Sequence, residues 1–223
     1  GVSYTAIGQV KIQDSTRVAS CGKAIYNRSE EVTILQNQPE IREENRILSG
    51  EKIVLTYKED ELKNIQIPKQ ARASTISSGY ENADADSTGQ RPTLQFKDVM
   101  TSSILKGYFI DGKLDSIRLE GMAATLYHIF DDSVYQGKNE TSGDTIIMQF
   151  TNSELDRIFV DGGSRGVYSP DTLTKNSEYP IIYSANQIDY RIETEKSDLM
   201  GDAKVRHGNT NLEAGFIKVN WRT

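Results

Sequence analysis

The chain has 223 residues, 32 acidic against 26 basic, a net charge of −6, one Cys, two His and one Trp. One Cys leaves no internal disulfide and no Cys-based zinc site, the acidic balance argues against general nucleic-acid binding, and no apolar run approaches the ~18 residues of a membrane-spanning helix. Ile and Val number 33 against 13 Leu and 12 Ala, which favours strands, because β-branched side chains suit a pleated surface and crowd a helix.

The chain opens on Gly rather than Met, has no signal-peptide pattern, and reads as a mature form or an excised piece. In chain order, short alternating runs recur: Val10, Ile12 and Val18; Ala24, Tyr26, Val32 and Ile34; Ile53, Leu55 and Tyr57; Ile65 and Ile67. Alternation puts one set of side chains on one face of a sheet. Asn27-Arg28-Ser29-Glu30, Lys58-Glu59-Asp60-Glu61 and Asp111-Gly112-Lys113 are polar and predict hairpin turns. Residues 77–92 are almost free of apolar groups and predict a polar loop or linker. Within it Asn82, Asp84 and Asp86 have calcium-loop spacing, but Ser87 and Thr93 stand where such a loop needs Gly and Glu, so no metal is expected. Residues 95–106 predict one or two turns of helix. Gly162-Gly163-Ser164-Arg165-Gly166 lacks the Lys-Ser/Thr ending of a phosphate loop and reads as a turn. Cys21 is expected to be a buried, inert thiol.

A self-comparison finds an internal repeat. SGEKIVLTYKEDELKNI (49–65) aligns without a gap on SGDTIIMQFTNSELDRI (142–158), at an offset of 93. Leu114-Asp115-Ser116-Ile117-Arg118-Leu119-Glu120-Gly121 repeats the second half, and residues 199–221 are a looser relative. The unit is a hairpin, with Gly50 and Gly143 where a side chain would clash. Stacked hairpins build a quasi-one-dimensional body whose end strands are free to pair with another chain.

These residues resemble the OstA-like family, the lipopolysaccharide-transport proteins typified by LptA and the periplasmic part of LptD. The resemblance rests on Gly8 to Ile12, on Lys23-Ala24-Ile25-Tyr26, on the apolar strand ending at Pro39 with Ile41 after it, and on Ser49-Gly50-Glu51 with its Ile-rich strand. It continues in Tyr183 to Tyr190, Leu199 to Val205 and Leu212 to Ile217. It implies an all-β, repeat-built antiparallel β-jelly roll, V-shaped and elongated. It divides the chain into a first OstA-like module (1–76), the linker (77–92), a second module (93–179) and the start of a further repeat (180–223). It also implies a periplasmic location and lipopolysaccharide, through its lipid A, as ligand. The implied partners are like modules joined edge to edge and the inner- and outer-membrane transport components. No catalysis and no cofactor belong to it.

A carrier must match ~0.8 kcal/mol per methylene of acyl chain with continuous apolar surface. The candidate lining residues are Ile53, Leu55, Tyr57, Ile65, Ile67, Ile117, Leu119, Ile146, Met148, Phe150, Ile158 and Val160. The same alternation fits a filled β-core, and both readings stay open at this point. Lys52, Lys63, Arg118, Arg157 and Arg165 are a solvated strand face or, at a groove mouth, partners for lipid A phosphates. His128 with Asp131 and Asp132, or Asp111 with Asp115, are the acid–base candidates, read here as turn residues. The rival functions are a scaffold or adhesin module without lipid and a β-solenoid enzyme acting on polysaccharide.

Overall fold

The computed structural model describes residues 2–13, 16–81, 91–152, 154–171 and 179–221. These residues are all-β, with no helix among them, and form one sheet of sixteen strands. The first eight are β1 (Ser3–Gln13), β2 (Arg17–Asn27), β3 (Val32–Gln36), β4 (Glu40–Glu43), β5 (Arg46–Ser49), β6 (Lys52–Lys58), β7 (Glu61–Ile67) and β8 (Ala71–Tyr80). They are followed by β9 (Thr93–Ser102), β10 (Ile104–Ile110), β11 (Lys113–Asp131), β12 (Val134–Thr151), β13 (Glu154–Pro170), β14 (Ile181–Arg191), β15 (Lys196–His207) and β16 (Thr210–Asn220). Pairing is antiparallel except where Val134 of β12 meets Tyr80 of β8.

The ladders run along two tracks. β2 pairs β3 through Lys23–Asn27 and β4 through Arg17–Ser20. β11 pairs β10 through Lys113–Glu120 and β9 through Ala124–Leu126. The first limb of the sheet thus holds β3, β6, β7 and β10, and the second holds β4, β5, β8 and β9. The longer strands β1, β2 and β11 to β16 cross from one limb to the other.

A seam separates the limbs. Register shifts fall where the long strands cross it, between Ile7 and Val10, Glu120 and Ala123, Ser142 and Thr145, Ser184 and Gln187, and Met200 and Ala203. The residues inserted there have positive φ: Gly8, Gly121-Met122, Gly162-Gly163 and Gly201-Asp202. Each is a bulge, and a bulge bends its strand. In the short strands the same bend is a break in the chain, at Asn37-Gln38 between β3 and β4 and at Gln70 before β8. One apolar cluster draws on residues of both limbs, so the core lies between them.

The hairpins obey one rule at their tips. β6–β7 and β10–β11 each close with a two-residue turn, and these hairpins and β12–β13 each shift register two pairs before the tip. Thr56↔Asn64 then Tyr57↔Leu62 corresponds to Tyr108↔Ser116 then Phe109↔Leu114, and to Gln149↔Arg157 then Phe150↔Leu155. Glu59-Asp60 and Asp111-Gly112 both have positive φ, the turn geometry that matches strand twist.

Three expectations need correction. Residues 95–106 are strand, not helix, and belong to β9 and β10. Their apolar residues do not keep to one face: Met100 packs against the apolar core whereas its neighbour Val99 does not belong to that cluster. Gly162-Gly163 is a bulge inside β13, not a turn between strands. Residues 77–80 continue β8, whereas 82–90, with the calcium-type spacing, lie outside the described residues. Pairing is continuous along the expected module limits, since β8 pairs β9 and β13 pairs β14.

Candidate functional site

The inner face of the first limb carries an unbroken aliphatic row beside the seam. Leu35 pairs Ile53 on β6, and Ile67 follows on the adjacent β7. The row then runs through paired positions Leu105, Leu119, Ile146, Val160, Ile188, Leu199 and Ile217. It takes one residue from each of ten strands, and none is more than 7% exposed. A second row lies one pair nearer the tips: Leu55, Ile65, Gly107, Ile117, Met148, Ile158, Tyr190, Ser197 and Val219.

All twelve residues singled out in the sequence fall on this face and in one apolar cluster. Ile53, Ile67, Leu119, Ile146 and Val160 stand in the first row; Leu55, Ile65, Ile117, Met148 and Ile158 stand in the second. Tyr57 and Phe150 lie at the tips, opposite Leu62 and Leu155. Tyr57, Ile117 and Phe150 are partly buried and the other nine are buried. Sequence reasoning missed Leu35, Leu105, Ile188, Leu199 and Ile217. Leu199 and Ile217 lay inside the looser terminal relative of the repeat, which was the available signal.

The second limb opposes this face with a row that is apolar at its two ends and mostly small or polar at its centre, around Thr125, Thr141 and Gly166. Its row is Ile41, Leu48, Ala73, Met100, Thr125, Thr141, Gly166, Tyr183, Val205 and Leu212. Its polar part is hydrogen-bonded, as buried polar groups must be. Tyr183 donates to Asn139 Oδ1 at 2.9 Å, and Thr141 Oγ1 donates to the same oxygen at 3.1 Å. Gly166 lies against the Tyr183 ring, where a Cβ has no room. Burial pushes the Tyr127 and Tyr183 phenols above their ordinary range and Tyr190 up to about 12.

The charged candidates lie on other surfaces. Arg157, between inward Ile158 and the tip, holds Asp189 through Nε–Oδ1 at 2.6 Å and Nη2–Oδ2 at 2.9 Å. Arg118 and Lys106 both pair Glu120, and Lys63 pairs Glu61. The Glu120 carboxyl is held below its ordinary range by Arg118 and then Lys106. Lys52 is partly buried opposite Gln36, and Arg165 is exposed opposite Ser142. Asp131 and Asp132 are exposed at a hairpin tip, and His128 turns instead to Asp98, with Nδ1 2.7 Å from Oδ1. Phe96 stacks on that imidazole at 4.4 Å, and Ser77 Oγ donates to the other Asp98 oxygen. Asp111 is exposed at its turn and Asp115 accepts from Ser116. Cys21 is buried. No group of three or more metal-ligating side chains occurs among the described residues.

No protein-family model and no curated protein matches the chain. The functional reading therefore rests on the residues and their geometry.

Proposed function

We propose that this chain is a periplasmic lipopolysaccharide carrier of the OstA-like type, a repeat-built antiparallel β-jelly roll, V-shaped and elongated, that shields lipid A acyl chains between its two limbs. The observation that carries the reading is the aliphatic row from Leu35 to Ile217. Ten strands at ~4.8 Å spacing make it roughly 43 Å long. It is continuous and wholly aliphatic, as a surface for an acyl chain must be, because transfer from water is proportional to apolar area and has no directionality. In the closed form the second limb covers it. That limb contributes mainly Ala, Thr, Ser and Gly near the centre of the sheet, so parting the limbs bares aliphatic surface chiefly on one side.

The shared tip geometry of β6–β7, β10–β11 and β12–β13 supports the repeat-built reading, and the line of bulges supports the V. β1 and β16 each pair one neighbour among the described strands. In this reading their outer edges join like modules and the membrane-bound ends of the transport system. A pure scaffold would use the same edges, so lipid binding is the discriminating property.

The test is retention of radiolabelled lipopolysaccharide by the purified chain during size-exclusion chromatography. Competition by hexa-acylated lipid A and not by the deacylated core oligosaccharide supports the carrier. No retention, or competition by the deacylated sugar, contradicts it and favours the scaffold.

A further inference from the structure

Trp221 is the only tryptophan of the chain, and it joins the two limbs. It follows β16 on the first limb, where its backbone N–H donates to the Glu195 carbonyl at 2.9 Å. Its indole Nε1–H donates to Ser197 Oγ at 2.8 Å, on β15 of the same limb. The ring then crosses to the second limb. It lies 5.5 Å from the Tyr183 ring and 6.1 Å, edge on, from the Tyr168 ring. Tyr183 is 4% exposed and hydrogen-bonded to Asn139, and Tyr168 donates to the Gln136 carbonyl, so both acceptor rings are fixed.

The limbs are joined covalently along the seam, and among the described residues their tips are held together by side-chain contacts and not by strand pairing. A contact at tip level therefore has the longest lever over the space between them. Trp221 is such a contact: Ile217 sits in the row beside the seam, Val219 in the next and Trp221 beyond it. Among the described residues no comparable single side chain ties β1 at the other end. Tyr4 and Ile12, on strand positions paired with Tyr26 and Ala19, are exposed there.

We propose that Trp221 is a strap that holds the limbs closed at the β16 end, and that an acyl chain entering between them displaces the indole from Tyr168 and Tyr183. The proposal rests on the carrier reading above. A ligand that binds only the parted form is weakened by the fraction of time the strap is shut. Loosening the strap must then raise both affinity and association rate.

The test uses the full chain and two probes: lauroyl lysophosphatidylcholine below its critical micelle concentration, and dansyl-undecanoic acid for stopped-flow kinetics. Circular dichroism verifies the fold of each variant. Ser197→Ala frees the indole N–H without emptying any space, and Trp221→Ala removes the ring. The expected result is a red shift and greater acrylamide quenching of Trp221 emission that track lysolipid occupancy measured by equilibrium dialysis. Dansyl-acid association should be about fivefold to tenfold faster in Trp221→Ala and intermediate in Ser197→Ala. Binding by all three proteins with unchanged Trp221 emission and equal rates overturns the strap and leaves the carrier standing. Binding by none of them overturns the carrier reading, and the strap with it.

Discussion

Gly143 faces Val160 so closely that a Cβ on it would lie 2.6 Å from Val160 Cγ1 and 3.1 Å from the Asp161 carbonyl oxygen. Gly50 stands in the same relation to Ile67 and the Lys69 carbonyl, 93 residues earlier in the chain. Both glycines lie at the seam, where one strand crosses close over the next. An added methyl must displace a buried branched side chain and crowd a backbone carbonyl, which costs typically about 1–3 kcal/mol. Gly143→Ala and Gly50→Ala should each lower the unfolding free energy from urea melts by that amount, seen as a lower midpoint with an unchanged slope. Gly215→Ala, with open space around its Cβ, should not.

Leu119 is wholly buried in the aliphatic row, whereas Phe216 is 52% exposed on the opposite face of β16. Leu119→Ala should cost about 3–5 kcal/mol through lost transfer energy and the cavity left behind. Phe216→Ala should stay within about 0.5 kcal/mol of the parent. Chemical denaturation of the two variants side by side checks the assignment of inner and outer faces.

The turn of the β6–β7 hairpin holds Glu59 and Asp60 at φ 55° and 64°. Asn-Gly is the pair best suited to two positive φ values in a two-residue turn. Glu59→Asn with Asp60→Gly should therefore raise stability by about 0.5–1 kcal/mol. Thermal melts of the double variant measure it. A loss of stability would mean that the acidic side chains hold the tip.

These sites show what a linear reading can and cannot reach. The β6–β7 and β12–β13 hairpins were legible because Ile53, Leu55, Ile146 and Met148 alternate cleanly and the polar turns are short. The partial copy at 114–121 was legible for the same reason and forms the return strand of β10–β11. The second limb was not. Its inner face carries Thr125, Asn139, Thr141 and Ser164, so buried positions there read as polar and the alternation inverts. The seam was hidden too, because Gly162-Gly163 inside a strand has the composition of a turn. His128 was paired with its neighbours in sequence, yet its partner Asp98 lies 30 residues away on β9.

Tyr190 ionises in an ordinary environment near 10 and is pushed up to about 12 by burial between β13 and β15. The native state therefore holds this proton more tightly than the unfolded chain. Its contribution is whole below pH 10 and is lost as pH rises through about 12. Urea midpoints taken from pH 9 to 12 should fall steeply in the parent and less in Tyr190→Phe. Equal slopes would place the alkaline loss elsewhere, in Tyr127 or Tyr183.

The central claim is that the inner face of the first limb meets acyl chains. Site-specific photo-crosslinking tests it most directly, with the probe at Leu55 and Met148, both buried in the second row, and at exposed Lys58 as control. Lipopolysaccharide adducts at Leu55 and Met148 and none at Lys58 are predicted. No adduct at either inner position, in variants whose circular dichroism matches the parent, would contradict the carrier and leave the two rows as a filled core.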